Sequence, residues 1–308
     1  MKRAIITLLS ICLLLSACTA STRLPEADPD SEAYELETPE ASEFFEPQSL
    51  LHYGPDEEGF VTISGIRFCV ELTTILDLDC KCFGNITNSD ILPLRYLTNI
   101  EWLVLANPRI NDISPLENLV DLRVLHLNMN LISDISPLAN LTNLEELDLA
   151  WNMRINDIRP LEDLVDLRNL DLSSNQISDI SPLTNLTNLE SLRLGGNEII
   201  DISNLEYLTN LRLLSLSGNQ ISDISALETL SNLSELYLNR NQISDISSLI
   251  YLTELNVLFL QGNQIADFTP LMGLTNLTTL VLCRHSITDE QLEELRLALP
   301  NSDISVVY

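Results

Sequence analysis

The chain has 308 residues, 45% of them hydrophobic, and sets 16 basic against 45 acidic residues for a formal charge of −29. That balance argues against a nucleic-acid binder, whose phosphate contacts need clustered Lys and Arg, and fits a self-repelling surface. The length admits one large core or an extended array. With aromatics at only 5%, those that face solvent stand out.

Residues 1–17 read as an address. Lys2 and Arg3 precede the apolar run "AIITLLSICLLL", which is too short to span a bilayer and has the layout of a signal peptide. The following "LSAC", Leu15 to Cys18, resembles the lipobox of bacterial lipoproteins. That resemblance implies cleavage before Cys18, lipidation of its sulfur, and a membrane anchor on the extracytoplasmic face of the cell. Residues 18–58, including "PEADPDSEAYELETPEASEFFEP", are acidic and proline-dotted with no helical or strand period. They read as a disordered tether, because too little apolar area is available to offset the entropy of ordering.

Residues 59–97 are expected to form a small hairpin and a first irregular strand near Leu76 to Leu78, acting as an N-terminal cap. From 98 to 282 the chain repeats itself. A Leu-x-Leu pair begins at Leu103, Leu125, Leu147, Leu170, Leu192, Leu214, Leu236, Leu258 and Leu280, in steps of 22 residues except the 23 between Leu147 and Leu170. The extra residue lies in "WNMRINDI". A fixed period of this size marks a solenoid, in which a turn cannot bury its apolar face without neighbours. In the turn from Asn175 to Asn197, Ile177, Ile180, Leu183, Leu186, Leu189, Leu192 and Leu194 are expected to point inward. Ser181-Pro182 reads as a helix start, with Ser at the N-cap and Pro at the first helical position. Residues 283–308 read as a C-terminal cap, a helix opened by a Thr288–Gln291 capping box and a last strand after Pro300.

The pattern Leu-Thr-Asn-Leu-x-x-Leu-x-Leu-x-x-Asn-x-Ile-x-Asp-Ile-x-Pro-Leu resembles leucine-rich repeats, specifically the internalin-like 22-residue class. The resemblance runs over roughly residues 72 to 308. It implies an α/β fold, a right-handed leucine-rich repeat solenoid with a parallel sheet on the concave face and short helical turns on the convex face. It also implies a recognition function.

Several columns look chemical and have plainer explanations. One Asn per turn (Asn130, Asn152, Asn175, Asn197, Asn219, Asn241, Asn263) is expected to be buried and to satisfy backbone groups where the chain leaves the strand. Pro108 and His285 take that slot in the first and last turns. One Asp per turn, from Asp112 to Asp267, is expected to hydrogen-bond the local backbone; a calcium ladder is the less favoured reading, since each turn offers a single carboxylate. Cys69 is expected to pair with Cys80 or Cys82, leaving Cys283 a lone thiol. No cofactor or metal is expected. The three histidines, His52, His126 and His285, are scattered, and no nucleophile–base set or phosphate loop appears, so no enzymatic activity is expected.

What the repeat leaves free is the outward side of each strand. One outward column reads Val104, His126, Asp148, Asp171, Arg193, Ser215, Tyr237, Phe259 and Val281. The column before it begins Trp102, Val124, Glu146. Tyr237, Phe259, Val257 and Val281 are expected to form one apolar patch, with Arg240 beside it. Trp102, Val104 and Val124 form another, with Trp151 in a nearby turn, and Glu146, Asp148, Asp171 and Arg193 lie between. Exposed apolar patches with polar rims mark interaction sites, and Trp, Tyr and Arg dominate hot spots. The expectation is a monomeric, membrane-anchored module that binds a protein ligand. The alternative is a carbohydrate-binding or structural envelope lipoprotein.

Overall fold

The computed structural model describes residues 54–63, 65–78, 86–106 and 109–307. The signal segment, Cys18, most of the tether, His52, Cys80, Cys82 and Pro108 lie outside the described residues. The described residues belong to one compact unit.

An antiparallel hairpin opens it, β1 (Phe60–Ile63) with β2 (Ile66–Cys69). There follow β3 (Ile75–Asp77), β4 (Trp102–Val104), β5 (Val124–His126), β6 (Glu146–Asp148), β7 (Asn169–Asp171) and β8 (Ser191–Arg193). After them come β9 (Leu213–Ser215), β10 (Glu235–Tyr237), β11 (Val257–Phe259), β12 (Thr279–Cys283) and β13 (Asp303–Val307). Strands β3 to β13 form one 11-stranded sheet in strict sequence order, and every neighbouring pair is parallel.

The register is set by the leucines. Leu76, Leu103, Leu125, Leu147, Leu170, Leu192, Leu214, Leu236, Leu258, Leu280 and Ile304 align in one row across the sheet. A one-residue slip in any strand would turn this row outward, so burial holds the pairing. The seven inward residues of the Asn175 turn are all buried in a single continuous core. Both ends of the core are covered by further elements. Val61 and Ile63 of the hairpin join the core at one end. At the other, a terminal helix (Asp289–Ala298) adds Leu292 and Leu295, and Thr288 and Gln291 make the capping box. β13 pairs along β12 and completes the sheet.

Between strands the chain runs through 3₁₀ turns such as Ser114–Leu116, Ser181–Leu183 and Ser203–Tyr207. Here one expectation is corrected. Ile180, not Ser181, is the N-cap residue; Ser181 and Pro182 are the first two helical residues, and no side chain caps from the N-cap position. The capping oxygen comes from one residue earlier: Asp179 Oδ1 accepts from the Ser181 N–H at 2.9 Å. A 3₁₀ turn starts tightly, and the aspartate two residues back reaches the first orphan N–H as an Asx turn.

Candidate functional site

The Asn column is structural throughout the described turns. Asn219 Nδ2 donates to the carbonyls of Leu194 and Leu216, both at 3.0 Å, and its Oδ1 accepts from the Ile199 N–H at 3.0 Å. One amide thus stitches two turns together, and the same triplet recurs at Asn197 and Asn241. The Asp column is equally local. From Asp112 to Asp267 each carboxylate accepts from the backbone N–H two residues ahead. For Asp112, Asp179, Asp223 and Asp245 that backbone bond leads in drawing the carboxyl below its usual range. For Asp267 the Thr269 hydroxyl leads. Asp157 falls to about 2 because the Arg159 guanidinium grips it. Among the described residues no group of three or more His, Cys, Asp or Glu side chains is arranged to hold a metal ion. Cys69 is half-buried at the end of β2, and its expected partners lie outside the described residues.

A second amide ladder escaped the sequence reading. Asn99, Asn143, Asn188, Asn210, Asn232 and Asn276 each donate to a backbone carbonyl in the preceding turn. The signal was present in the repeated Leu-Thr-Asn-Leu, where the Asn recurs in most turns and gives way to Asp121, Asp166 and Glu254 in the others.

On the sheet's outer face the expected columns are aligned pair by pair. Tyr237 sits opposite Phe259, their ring centroids 5.1 Å apart and tilted by 36°. The Tyr237 hydroxyl donates to Glu235 Oε2 at 2.9 Å. Burial, then this carboxylate, raises its ionisation above the usual value. Val257 is half-buried on the same face. Val281 departs from the expectation: it is only 8% exposed. It lies between Phe259 and Ser305 of β13, so the closing strand takes it out of the patch. Arg240 is exposed but stands off the strand, in a turn where its backbone is left-handed (φ 58°).

At the other end Trp102, 42% exposed, meets His126 with ring centroids 6.2 Å apart. His126 Nε2 lies 2.7 Å from Glu146 Oε1. Asp148 and Asp171 face each other across β6 and β7. Desolvation pushes the Asp148 carboxyl up, and the like charges of Asp171 and Glu146 add to it; the Ala150 N–H on its Oδ1 and the nearby His126 oppose the rise. Arg193 is opposite Asp171 in register, yet its guanidinium donates to Ser191 Oγ at 3.1 Å. The two ends therefore form separate clusters, an aromatic pair and a Trp–His–carboxylate group, on one face of the sheet. The sequence placed these side chains in their columns; the carboxylate pressed by its neighbour and the ring contacts needed the register.

The position before each ladder Asn is the least expected. It is left-handed in all seven turns: Gly196, Gly218 and Gly262 occupy it, but so do Met129, Trp151, Ser174 and Arg240. Met153, in the turn with the extra residue, is left-handed as well. The insertion is thus absorbed by two left-handed residues on either side of the buried Asn152.

A family model for leucine-rich repeats, in two copies, matches residues 98–140, 142–185, 165–207 and 209–251. No curated protein matches the chain by sequence. Among solved structures, an internalin C2 from Listeria monocytogenes is 40% identical over 60% of this chain and 81% of that one, with a TM-score of 0.58. An internalin from the same organism, InlF, is 29% identical over 79% of this chain and 86% of that one, with a TM-score of 0.62. A leucine-rich repeat protein of Leptospira interrogans shares the fold at 23% identity, over 70% of this chain and 62% of that one, with a TM-score of 0.63. With its row of leucines, its asparagine stitches and 40% identity to an internalin across most of that protein's length, the chain belongs to the leucine-rich repeat family, in its internalin-like class.

Proposed function

We propose that the protein is a binding module that recognises a protein ligand on the outer face of its parallel sheet, with Tyr237 and Phe259 as the anchors. The observation that carries this reading is the stacked pair itself. Two aromatic rings stand together toward the C-terminal end of a sheet whose inward positions are all given to packing. Rigid aromatic pairs of this kind supply large contact area at low entropic cost. In this reading Val257 flanks the pair, Arg240 contributes at the edge, and the Trp102, His126, Asp148, Asp171 and Arg193 region supplies polarity. The leader and Cys18 would deliver the module to the extracytoplasmic side and hold it on the membrane through a lipid.

The test is photo-cross-linking from positions 237 and 259 in cells, followed by alanine at both. Loss of the cross-linked protein supports the reading, and binding unchanged by the double substitution overturns it. The anchor is tested separately: Cys18→Ala should release the protein from membranes, and retention would refute lipidation.

A second reading, carbohydrate binding, draws on a polar groove of about 810 Å³ along the edge before the strands. It is lined by Arg212, Ser234, Asn232 and Asn256, among others. A glycan array separates the two readings: enrichment of any glycan that depends on Arg212 favours the second.

A further inference from the structure

Two columns of the repeat are small or polar except in two adjacent turns. The left-handed position holds Ser174, Gly196, Gly218 and Gly262 in four turns and Arg240 in a fifth, but the apolar Met129 and Trp151 in these two. The position after the ladder Asn holds Gln176, Glu198, Gln220, Gln242 and Gln264, but Leu131 and Met153 here. All four apolar side chains are exposed: Met129 53%, Leu131 46%, Trp151 51% and Met153 51%. The backbone brings them together, since Met129 N donates to the Ala150 carbonyl and Ile132 N to Asn152 Oδ1.

Each of these choices works against stability. A bulky residue in a left-handed conformation costs on the order of 1–2 kcal/mol, and glycine would avoid it. Four half-exposed side chains of this size open roughly 400 Å² of apolar surface, which on a monomer usually belongs to a function. The patch is bracketed by Arg109 before Ile110 and Arg154 after Met153, both exposed. Neither makes an ion pair with another described residue, although the chain holds 45 acidic side chains.

We infer that this edge is a second docking surface, separate from the outer sheet face, and that its occupant is a protein segment with an apolar face and acidic flanks. The apolar face would cover Met129, Leu131, Trp151 and Met153, and the acidic flanks would meet Arg109 and Arg154. A second copy of the chain fits poorly. The open area is about half of the roughly 800 Å² per partner that stable association needs, and a charge of −29 on each copy opposes it. An anionic lipid surface is repelled by the same charge.

A random peptide library displayed on phage tests this against the purified protein. The control variant carries Met129→Gly, Leu131→Gln and Trp151→Gly, which give those positions the residue types of the other turns, and Met153→Gly, which relieves the left-handed backbone there. Expected are clones that combine large apolar residues with Asp or Glu, bind the parent at least about tenfold more tightly than the control, and weaken with Arg109→Ala and Arg154→Ala. The same clones should bind a Tyr237→Ala, Phe259→Ala protein unchanged, which separates this surface from the sheet face. Clones that do not discriminate parent from control, or that carry basic flanks, overturn the proposal. So does a concentration-dependent dimer that the control abolishes, or binding of phosphatidylglycerol vesicles that it abolishes.

Discussion

The Tyr237 ring lies 5.1 Å from the Phe259 ring because β10 and β11 pair residue for residue. On the far side of the pair, Ser215 of β9 takes the place opposite Tyr237 and Val281 of β12 the place opposite Phe259. The two rings therefore meet each other and no third aromatic ring on the strands either side. A double-mutant cycle to alanine should return a coupling of about 1 kcal/mol in stability, the usual worth of a tilted aromatic pair beyond its buried area. Additive single costs, measured by urea denaturation, would show that the rings do not cooperate.

Replacing one stitch of the ladder should cost far more than replacing a surface amide. Asn219→Ala leaves the Ile199 N–H without its partner and takes one of two amide donors from each of the Leu194 and Leu216 carbonyls, which keep Asn197 and Asn241. At about 1–3 kcal/mol for the buried N–H left unpaired, with two further hydrogen bonds lost, a loss of about 2 kcal/mol or more is expected. Hydrogen exchange should show the opening centred on the Ile199 amide, because each turn of a solenoid leans only on its neighbours.

Asp148 is a local liability. Its carboxyl is raised in the folded state by desolvation and by Asp171 and Glu146. A raised carboxyl weakens the fold fully at pH above its folded value, and the penalty fades as pH falls from there to the unfolded value. Asp148→Asn keeps an oxygen for the Ala150 N–H, so it should raise the thermal midpoint at neutral pH. That gain should shrink toward zero through the acid carboxylate range. A gain that does not change with pH would mean that charge is not the cause.

The capping aspartates behave in the opposite way. Asp223 is drawn below its usual value by the Ser225 N–H and hydroxyl. A lowered carboxyl contributes stability that is present above the unfolded value and is lost as pH falls through the folded one. The difference in stability between the parent and Asp223→Asn should be present at neutral pH. It should vanish in strong acid, followed by denaturation at a series of pH values.

Arg240→Gly should stabilise the fold by up to about 1 kcal/mol, since its left-handed backbone is the conformation that glycine adopts freely. Gly262 in the next turn shows the reverse constraint. A Cβ there would sit 3.3 Å from Arg240 backbone atoms, and its own φ is +74°. Gly262→Ala should therefore be destabilising. Equal midpoints for parent and Arg240→Gly would mean that the unfolded chain's extra freedom cancels the relief.

The sequence alone determined the repeat, the inward row of leucines, the buried asparagines, both caps and the outward columns. It could do so because a 22-residue period with a strand period of two leaves no second way to bury so many aliphatics. The stacked aromatic pair was legible to the same extent, since parallel register follows from the leucine row. Other features were decided only by the tertiary structure. Val281 is covered because the last strand closes beside it. Ser181 gives up the capping role because a tight 3₁₀ turn brings Asp179 to its N–H. Asp148 is perturbed because Asp171 lies opposite. Above all, the left-handed turns that carry Met129 and Trp151 are a property of backbone geometry. Side-chain pattern reports burial, while backbone handedness depends on how each turn closes against its neighbours.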